Sequence, residues 1–192
     1  MVSFNAITFN CNGLGNKSKR EKVFTYLKDK LKHGFVFLQE THSVEKLEKE
    51  WKYQWGGDIY FSHGKSNSTG CAIAFSKNFS FKVVNQSKDD DGRILILEVS
   101  IDDKKYLLIN LYNANTELDQ LSVLELLISK LDGIDFDPSC IPIFGGDFNL
   151  IFDTTMDASG GNPSLKKRSI AKLMKILQNL DVTDILELDT HF

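Results

Sequence analysis

The feature that most constrains the fold is a short apolar segment that ends in two glycines and then in polar residues. Residues 141–144 read Ile-Pro-Ile-Phe, which is typical of a buried strand, and Gly145-Gly146-Asp147-Phe148-Asn149 follow directly. Residues two apart in an extended segment point the same way, so Asp147 and Asn149 are predicted to share one face. An acid and an amide aimed together can orient a water and hold an oxyanion. The same five residues are also typical of a turn, and both interpretations stay open at this point.

Length and composition indicate one globular domain, residues 1–192, with a sizeable core. The 192 residues are 42% hydrophobic and 26% charged, which is the balance of a folded chain. No apolar run approaches the ~20 residues of a membrane span, and no signal peptide is recognisable, so neither a membrane partner nor secretion is expected. The three cysteines show no metal spacing and are predicted to be reduced thiols in an intracellular protein, nuclear or cytoplasmic.

Hydrophobic periodicity alternates between strands and helices along the chain. A first strand near residues 4–10, a helix over 19–32 with a Ser18-x-x-Glu21 capping box and a strand over 35–38 predict a βαβ unit. Further helices are predicted over 43–55, over 118–131 and from Pro163 and Ser164 onwards. The other predicted strands are residues 59–61, 71–75, 79–84, 93–101 and 106–112, with a short β-like run at 182–188. This mixture predicts a layered α/β protein with two sheets covered by helices.

Four apolar strands end in polar residues that a core does not need. These residues are Asn10 and Asn12, Gln39 and Glu40, Tyr112 and Asn113, and Asp147 and Asn149. Ligands of layered α/β proteins bind at strand ends, so these side chains are expected to share one rim. Carboxylate and amide oxygens suit Mg²⁺, and phosphodiester cleavage needs a metal, a polarised water and donors for the developing charge. Each residue alone also has a structural interpretation, such as a bond to loop backbone for Asn10 or a core position for Tyr112.

Two basic segments stand out against a net charge of −3. Residues 17–32 contain seven Lys or Arg and two acids, and residues 164–178 contain five and none. The predicted contacts to a nucleic-acid backbone are Lys19, Arg20, Lys166, Lys167 and Arg168. The alternative is that both segments are solvated helix faces.

The order and spacing of the motifs resemble those of the endonuclease/exonuclease/phosphatase superfamily, which includes DNase I-like nucleases and abasic-site endonucleases. The matching motifs are Thr8-Phe9-Asn10-Cys11-Asn12-Gly13-Leu14, Phe37-Leu38-Gln39-Glu40-Thr41-His42, Asn110-Leu111-Tyr112-Asn113 and Gly145-Gly146-Asp147-Phe148-Asn149. Within the superfamily, the chain is most similar to the endonuclease domain of LINE-type (non-LTR) retrotransposons. That similarity also rests on Thr69-Gly70-Cys71-Ala72-Ile73, Asp91-Gly92-Arg93 and Asp157-Ala158-Ser159-Gly160-Gly161-Asn162.

The resemblance implies a four-layer α/β sandwich, in which two mixed, largely antiparallel sheets pack face to face with helices outside. It implies that Glu40 is the principal Mg²⁺ ligand, with Mn²⁺ as an alternative ion, and that Asn10 helps to hold the metal and its water. By the same resemblance Asp147 orients or activates the attacking water, Asn149 stabilises the transition state and Tyr112 contacts the scissile phosphate. Asn12 and Asn113 are implied to bind nucleic acid. The implied reaction nicks DNA and leaves a 3′-hydroxyl, which in retrotransposons primes a reverse transcriptase domain of the longer parent protein.

The chain departs from the family pattern near its end. The family has a further Asp on a late strand and a Ser-Asp-His triplet, and this sequence contains neither. The resemblance therefore implies a domain that lacks the final strands, with weak or no nuclease activity, since losing such a group costs ~10² to 10⁴ in rate. The alternatives are a non-catalytic DNA-binding remnant, a phosphatase of the same fold that acts on a small phosphate ester, and an open reading frame without function.

Overall fold

Two four-stranded sheets form the centre of the protein in the computed structural model, which describes residues 3–65, 68–133, 135–151 and 166–182. The first sheet, in the order β1-β2-β4-β3, contains β1 (Asn5–Asn10), β2 (Gly34–Gln39), β3 (Ile59–Ser62) and β4 (Cys71–Phe75). The second sheet, in the order β5-β6-β7-β8, contains β5 (Lys82–Lys88), β6 (Ile94–Ile101), β7 (Lys104–Tyr112) and β8 (Ile141–Asp147). The helices are α1 (Lys17–Leu31), α2 (Glu48–Trp55), α3 (Glu117–Asp132) and α4 (Lys167–Asn179). None of the helices in these ranges has the length and apolarity that crossing a bilayer needs.

Strand direction is the property of the sheets that positions the site. β1 and β2 run parallel with Asn10 opposite Gln39, and β7 and β8 run parallel with Tyr112 opposite Asp147. The other strand pairs are antiparallel. The β1–α1–β2 segment therefore forms the predicted βαβ unit, and each sheet contributes two neighbouring strands whose carboxyl ends lie together.

Three apolar clusters separate four layers. Phe24 of α1 and both tryptophans of α2 pack against the first sheet. Between the sheets, Phe37 and its neighbours meet the β6 and β7 side chains, and α3 and α4 cover the far face of the second sheet. This order of helix, sheet, sheet and helix confirms the predicted α/β sandwich. It also explains why β2 and β4 are continuous apolar runs, since every residue in each is buried and both faces of the strand are covered.

Some predicted boundaries differ from the structure for identifiable reasons. The capping box at Ser18 is wrong because the cap is Asn16, whose side chain accepts a hydrogen bond from the Lys19 amide at 3.0 Å. β5 begins at Lys82 rather than at residue 79 because Phe79 closes a turn, in which its amide donates to the Ser76 carbonyl at 3.1 Å. The predicted helix start at residues 163–164 and most of the β-like run at 182–188 lie outside the described residues.

Candidate active site

The site is built where strand ends of the two sheets meet. β1 and β8 are edge strands of different sheets, and their ends are joined by a hydrogen bond from Asn10 Nδ2 to Asp147 Oδ2 at 2.7 Å. Asn10 Oδ1 accepts a second hydrogen bond from the Asn12 amide at 2.9 Å, so the orientation of the Asn10 side chain is set from both ends. Two polar residues 137 positions apart in sequence are thus held together at one rim.

Two glycines allow the end of β8 to reach this position. A Cβ on Gly145 would lie 2.4 Å from Cδ2 of Phe37, a side chain of the opposite sheet. A Cβ on Gly146, whose φ is +154°, would lie 2.1 Å from the Leu111 carbonyl oxygen of β7. The glycine pair therefore lets β8 approach β7 and the first sheet closely enough to place Asp147 beside Asn10.

Asn149 lies beyond the strand and not along it. β8 ends at Asp147, and Asn149 has a left-handed φ of +50°, so the expectation that Asp147 and Asn149 share the face of one extended segment is wrong. The left-handed turn instead brings the backbone amide of Asn149 to Asp147 Oδ1, to which it donates a hydrogen bond at 3.1 Å. Asn149 Nδ2 donates to the Asn113 carbonyl at 2.9 Å, and the second hydrogen of that side-chain amide has no acceptor among the described residues.

The loop that contains Glu40 continues the pairing of the first sheet beyond its strands. The Gly13 amide donates to the Glu40 carbonyl at 2.8 Å, and the Thr41 amide donates to the Gly70 carbonyl at 3.0 Å. Glu40 itself has a left-handed φ of +52°. Its side chain is 25% exposed, and among the described residues its carboxylate forms no hydrogen bond and has one ion-pair neighbour, His42.

The pKa of the Tyr112 phenol is affected by both acids of the site, Glu40 and Asp147. Burial raises the pKa of the Tyr112 phenol above its usual value, and the negative charges of Glu40 and Asp147 raise it further, against the nearby Arg93 charge. The Arg93 guanidinium lies over the Tyr112 ring, 5.3 Å from its centroid. The phenol therefore stays protonated at neutral pH and can donate a hydrogen bond to an anion.

Asn110, which was not predicted as part of the site, links the two sheets by hydrogen bonds together with Gln39, one of the predicted rim residues. Asn110 Nδ2 donates to the Leu38 carbonyl at 3.0 Å and to the Ala72 carbonyl at 2.8 Å, where the β2–β4 pairing ends. Asn110 Oδ1 accepts from Gln39 Nε2 at 2.8 Å. Both side chains are essentially inaccessible to solvent. The available signal was the two-residue period of β7, which puts Asn110 on the same face as Tyr112.

The predicted basic contacts lie on two sides of the Asn10–Asp147 pair. Lys19 is exposed and its Nζ donates to the Asn12 carbonyl. Lys166 Nζ donates to the Asn149 carbonyl at 3.0 Å, and Lys167 and Arg168 are exposed at the start of α4. None of these four side chains forms an ion pair with an acid of the described ranges, and all except the half-buried Lys166 are exposed.

Two other predicted nucleic-acid contacts are wrong because their side chains face the protein interior. Arg20 is 1% exposed; its Nη2 pairs with Glu50 Oε1 at 2.6 Å, and its guanidinium lies 4.8 Å from the centroid of the Trp51 ring. Asn113 is 0% exposed, and its Oδ1 accepts from the Ala114 amide at 2.9 Å. Asn12, in contrast, is exposed at the rim.

Replacing Arg20 by methionine is expected to lower the free energy of unfolding by about 2 kcal/mol, because Glu50 and the Leu14 carbonyl lose a buried partner. Urea unfolding followed by circular dichroism measures this change. Lys22→Met, an exposed position on the same helix, is the matched control and should change stability little. Equal unfolding midpoints for the two variants would contradict a structural role for Arg20.

The cysteine thiols do not provide a nucleophile. Burial raises the pKa of Cys11 to about 12 and raises the pKa of Cys71 well above its usual value. Burial also raises the pKa of the half-buried Cys140 thiol to about 11. All three therefore stay protonated at neutral pH, and the chemistry of the site depends on its oxygen and nitrogen groups.

The donor set at the rim fits a hard divalent cation. In the described ranges, no three His, Cys, Asp or Glu side chains converge on one point, so a cage made entirely of such groups is not present there. The Glu40 carboxylate accepts no hydrogen bond from any described residue, and its charge and that of Asp147 both raise the pKa of Tyr112. Mg²⁺ is typically bound by one or two carboxylates and keeps several waters, which matches this arrangement.

Comparison with known proteins agrees with this architecture. The family described as Endonuclease/Exonuclease/phosphatase matches residues 7–183. An uncharacterized 149 kDa protein of transposon TX1 from Xenopus laevis is 31% identical over 179 residues, and the match covers 93% of this chain and 13% of that protein. This chain thus spans only a small part of its transposon relative.

Solved structures share the fold. An AP endonuclease from Archaeoglobus fulgidus has a TM-score of 0.65 at 21% identity, over 88% of this chain and 70% of its own. TDP2 from D. rerio, solved in complex with a single strand DNA product, has a TM-score of 0.55 at 18% identity, over 78% of this chain and 60% of its own.

Proposed function

The chain belongs to the endonuclease/exonuclease/phosphatase family, and we propose that it is a metal-dependent phosphodiester hydrolase that nicks DNA and leaves a 3′-hydroxyl. The observation that carries the proposal is the hydrogen bond between Asn10 and Asp147, at 2.7 Å, which joins the two sheets. This bond holds the Asp147 carboxylate and the Asn10 amide at the rim. Tyr112 lies near them, since the charges of Glu40 and Asp147 both raise its pKa. An acid, an amide and a phenol at one rim are groups that can orient water and bind a phosphate.

Each side chain has a proposed role that follows from its contacts. Glu40 and Asn10 would hold the divalent cation, which when bound polarises the phosphate oxygens. Asp147 orients the attacking water and accepts its proton, since both of its oxygens are already positioned, by Asn10 and by the Asn149 amide. Tyr112 and the second Nδ2 hydrogen of Asn149 donate hydrogen bonds to phosphate oxygens as negative charge develops there.

DNA is the proposed substrate because cations flank the Asn10–Asp147 pair: Lys19 is exposed and Lys166 is half-buried. Lys19 lies beside Asn12 on one side, and Lys166 lies beside Asn149 on the other. A backbone that crosses the rim between the two lysines would pass over Asp147. The solved D. rerio TDP2 complex contains a single strand DNA product, which supports a nucleic-acid substrate for this fold. A reverse transcriptase domain in a longer parent protein is proposed by analogy with the transposon relative, of which this chain covers 13%.

We expect slow turnover, because in the described ranges no imidazole forms a hydrogen bond with Asp147. A non-catalytic DNA-binding protein is the second candidate, favoured by the lysines on both sides of the site, Lys19 and Lys166, which can bind DNA without any catalysis. The location of the protein, nuclear or cytoplasmic, stays a prediction.

The test is the conversion of supercoiled plasmid to open circles by the full chain, with Mg²⁺ and with a chelator. A nicked product that DNA polymerase extends without prior end repair would show a 3′-hydroxyl. Salt-dependent DNA binding without nicking would favour the second candidate, since backbone contacts weaken steeply as salt rises. Release of phosphate from small esters, without any effect on plasmid, would contradict both.

Glu40→Gln is expected to lower Mg²⁺ affinity about tenfold or more, because the substitution removes the charge of the proposed ligand and keeps its shape. Isothermal titration calorimetry of the metal-free protein measures the affinity. Glu45→Gln, an exposed acid in the 3₁₀ turn before α2, is the control. An unchanged Mg²⁺ affinity in Glu40→Gln would remove Glu40 from the metal site.

A further inference from the structure

One imidazole lies at the candidate site with a nitrogen that has no partner among the described residues. His42 follows Glu40 by two positions, and its Nε2 is buried and forms no hydrogen bond there. The nearest carboxylate oxygen is Glu40 Oε1, at 3.7 Å, which is too long for a hydrogen bond. Buried polar atoms are nearly always paired, and an exception in a folded protein can mark a catalytic role or a place for an ion.

The backbone that places the His42 imidazole beside the Glu40 carboxylate is in an unfavourable conformation. Glu40 and His42 both adopt left-handed φ values, +52° and +53°, which are unfavourable for residues other than glycine by about 1–3 kcal/mol each. Hydrogen bonds maintain this conformation: the His42 amide donates to the Thr69 carbonyl at 2.9 Å, and the Gly13 amide donates to the Glu40 carbonyl. Strain of this kind persists where the surrounding structure over-determines it, and such places cluster at functional sites.

The loop after β1 sets the orientation of the ring. A Cβ on Gly13 would lie 2.7 Å from His42 Nδ1, so a glycine leaves the space that this side of the ring occupies. Since Nδ1 faces the Gly13 backbone, the ring presents Nε2 towards Glu40. Two potential ligand atoms of different chemistry, one nitrogen and one carboxylate oxygen, therefore lie next to each other at the rim.

We propose that His42 Nε2 is a metal ligand beside Glu40, and that the site consequently prefers Mn²⁺ to Mg²⁺. Adjacent ligand atoms of an octahedral ion with bonds of about 2.1 Å lie about 3 Å apart. The distance from His42 Nε2 to Glu40 Oε1 is 3.7 Å, and a small side-chain rotation would shorten it to that value. Imidazole favours transition metals, whereas Mg²⁺ prefers oxygen ligands. This inference rests on the metal dependence of the proposed function and names an additional ligand for it.

The experiment uses the metal-free full chain and the two ions alone. Electron paramagnetic resonance follows Mn²⁺ binding, Mg²⁺ competition gives the ratio of affinities, and pulsed measurements detect a histidine nitrogen coupled to bound Mn²⁺. His42→Gln keeps a polar side chain at the position. His33→Gln is the matched control, because His33 precedes β2 at its opposite end and packs against Phe79.

The wild type and His33→Gln are expected to show nitrogen coupling. His42→Gln is expected to lose the coupling and to bind Mn²⁺ at least about tenfold more weakly, with a much smaller change for Mg²⁺. Mn²⁺ that binds the wild type without nitrogen coupling, or coupling that persists in His42→Gln, would show that His42 is not a ligand and leave the proposed function intact. If His42→Gln lowers the affinities for Mn²⁺ and Mg²⁺ equally, and the wild type shows no nitrogen coupling, His42 is a positioning residue and not a ligand. Failure of the wild type to bind either ion would overturn the metal dependence together with this inference.

Discussion

Replacing Asp147 by alanine is expected to lower the rate of plasmid nicking about 10²- to 10⁴-fold, the usual loss when a group that moves a proton is removed. The variant loses the carboxylate that both Asn10 Nδ2 and the Asn149 amide hold in place. Because that carboxylate is the proposed proton acceptor for the attacking water, the loss should fall on the rate and leave DNA affinity nearly unchanged.

Two comparisons separate chemistry from folding. Asp132→Ala removes an exposed acid at the end of α3, opposite its rim-facing N-terminus, and should nick like the wild type. The lost bond to Asn10 is worth about 1 kcal/mol or less, so Asp147→Ala should remain folded in urea titrations. If folded Asp147→Ala nicks at the wild-type rate, any nicking activity of the preparation does not come from this site.

Replacing Asn110 by leucine is expected to lower the free energy of unfolding by about 3 kcal/mol or more. Asn110 is 0% exposed and forms three hydrogen bonds across the space between the sheets, to Gln39 and to the carbonyls of Leu38 and Ala72. Leucine leaves two carbonyls and one amide group in the core without these bonds, and each unpaired buried group costs about 1–3 kcal/mol. Urea unfolding measures the loss.

The Asn110 prediction has a control and an internal check. Asn179→Leu, at an exposed position in the last turn of α4, should have little effect. The double variant Gln39→Leu with Asn110→Leu should lose less than the sum of the single variants, since removing both partners leaves fewer unpaired groups. Strict additivity would show that the two side chains do not stabilise the protein as a pair.

The sequence by itself determined the layers of this protein and the strand ends that form its rim. Runs such as those of β2 and β4 are apolar on both faces, and a strand of that kind is stable only when it is covered on both sides. The helix between β1 and β2 has a clear apolar stripe, so the parallel unit could be predicted from local periodicity. These patterns involve residues that are close together in the sequence, within about one helical turn or one strand, so they can be recognised without knowing the tertiary structure.

Tertiary structure alone decided which polar and charged side chains face the site. Arg20 and Lys19 are neighbours in one basic segment, yet only Lys19 reaches the rim, because Glu50 and Trp51 of α2 enclose Arg20. Asn149 reads as the end of a strand, but its left-handed backbone is set by contacts to Asp147 and Asn113.

The partners that settle these outcomes are distant in sequence. Asp147 lies 137 residues from Asn10, and Asn110 lies 71 residues from Gln39. A charged or amide side chain is compatible with solvent or with a buried partner, and its local sequence does not distinguish the two. Packing of the two sheets brings those partners within hydrogen-bond distance, and this packing converts four separate strand ends into one candidate site.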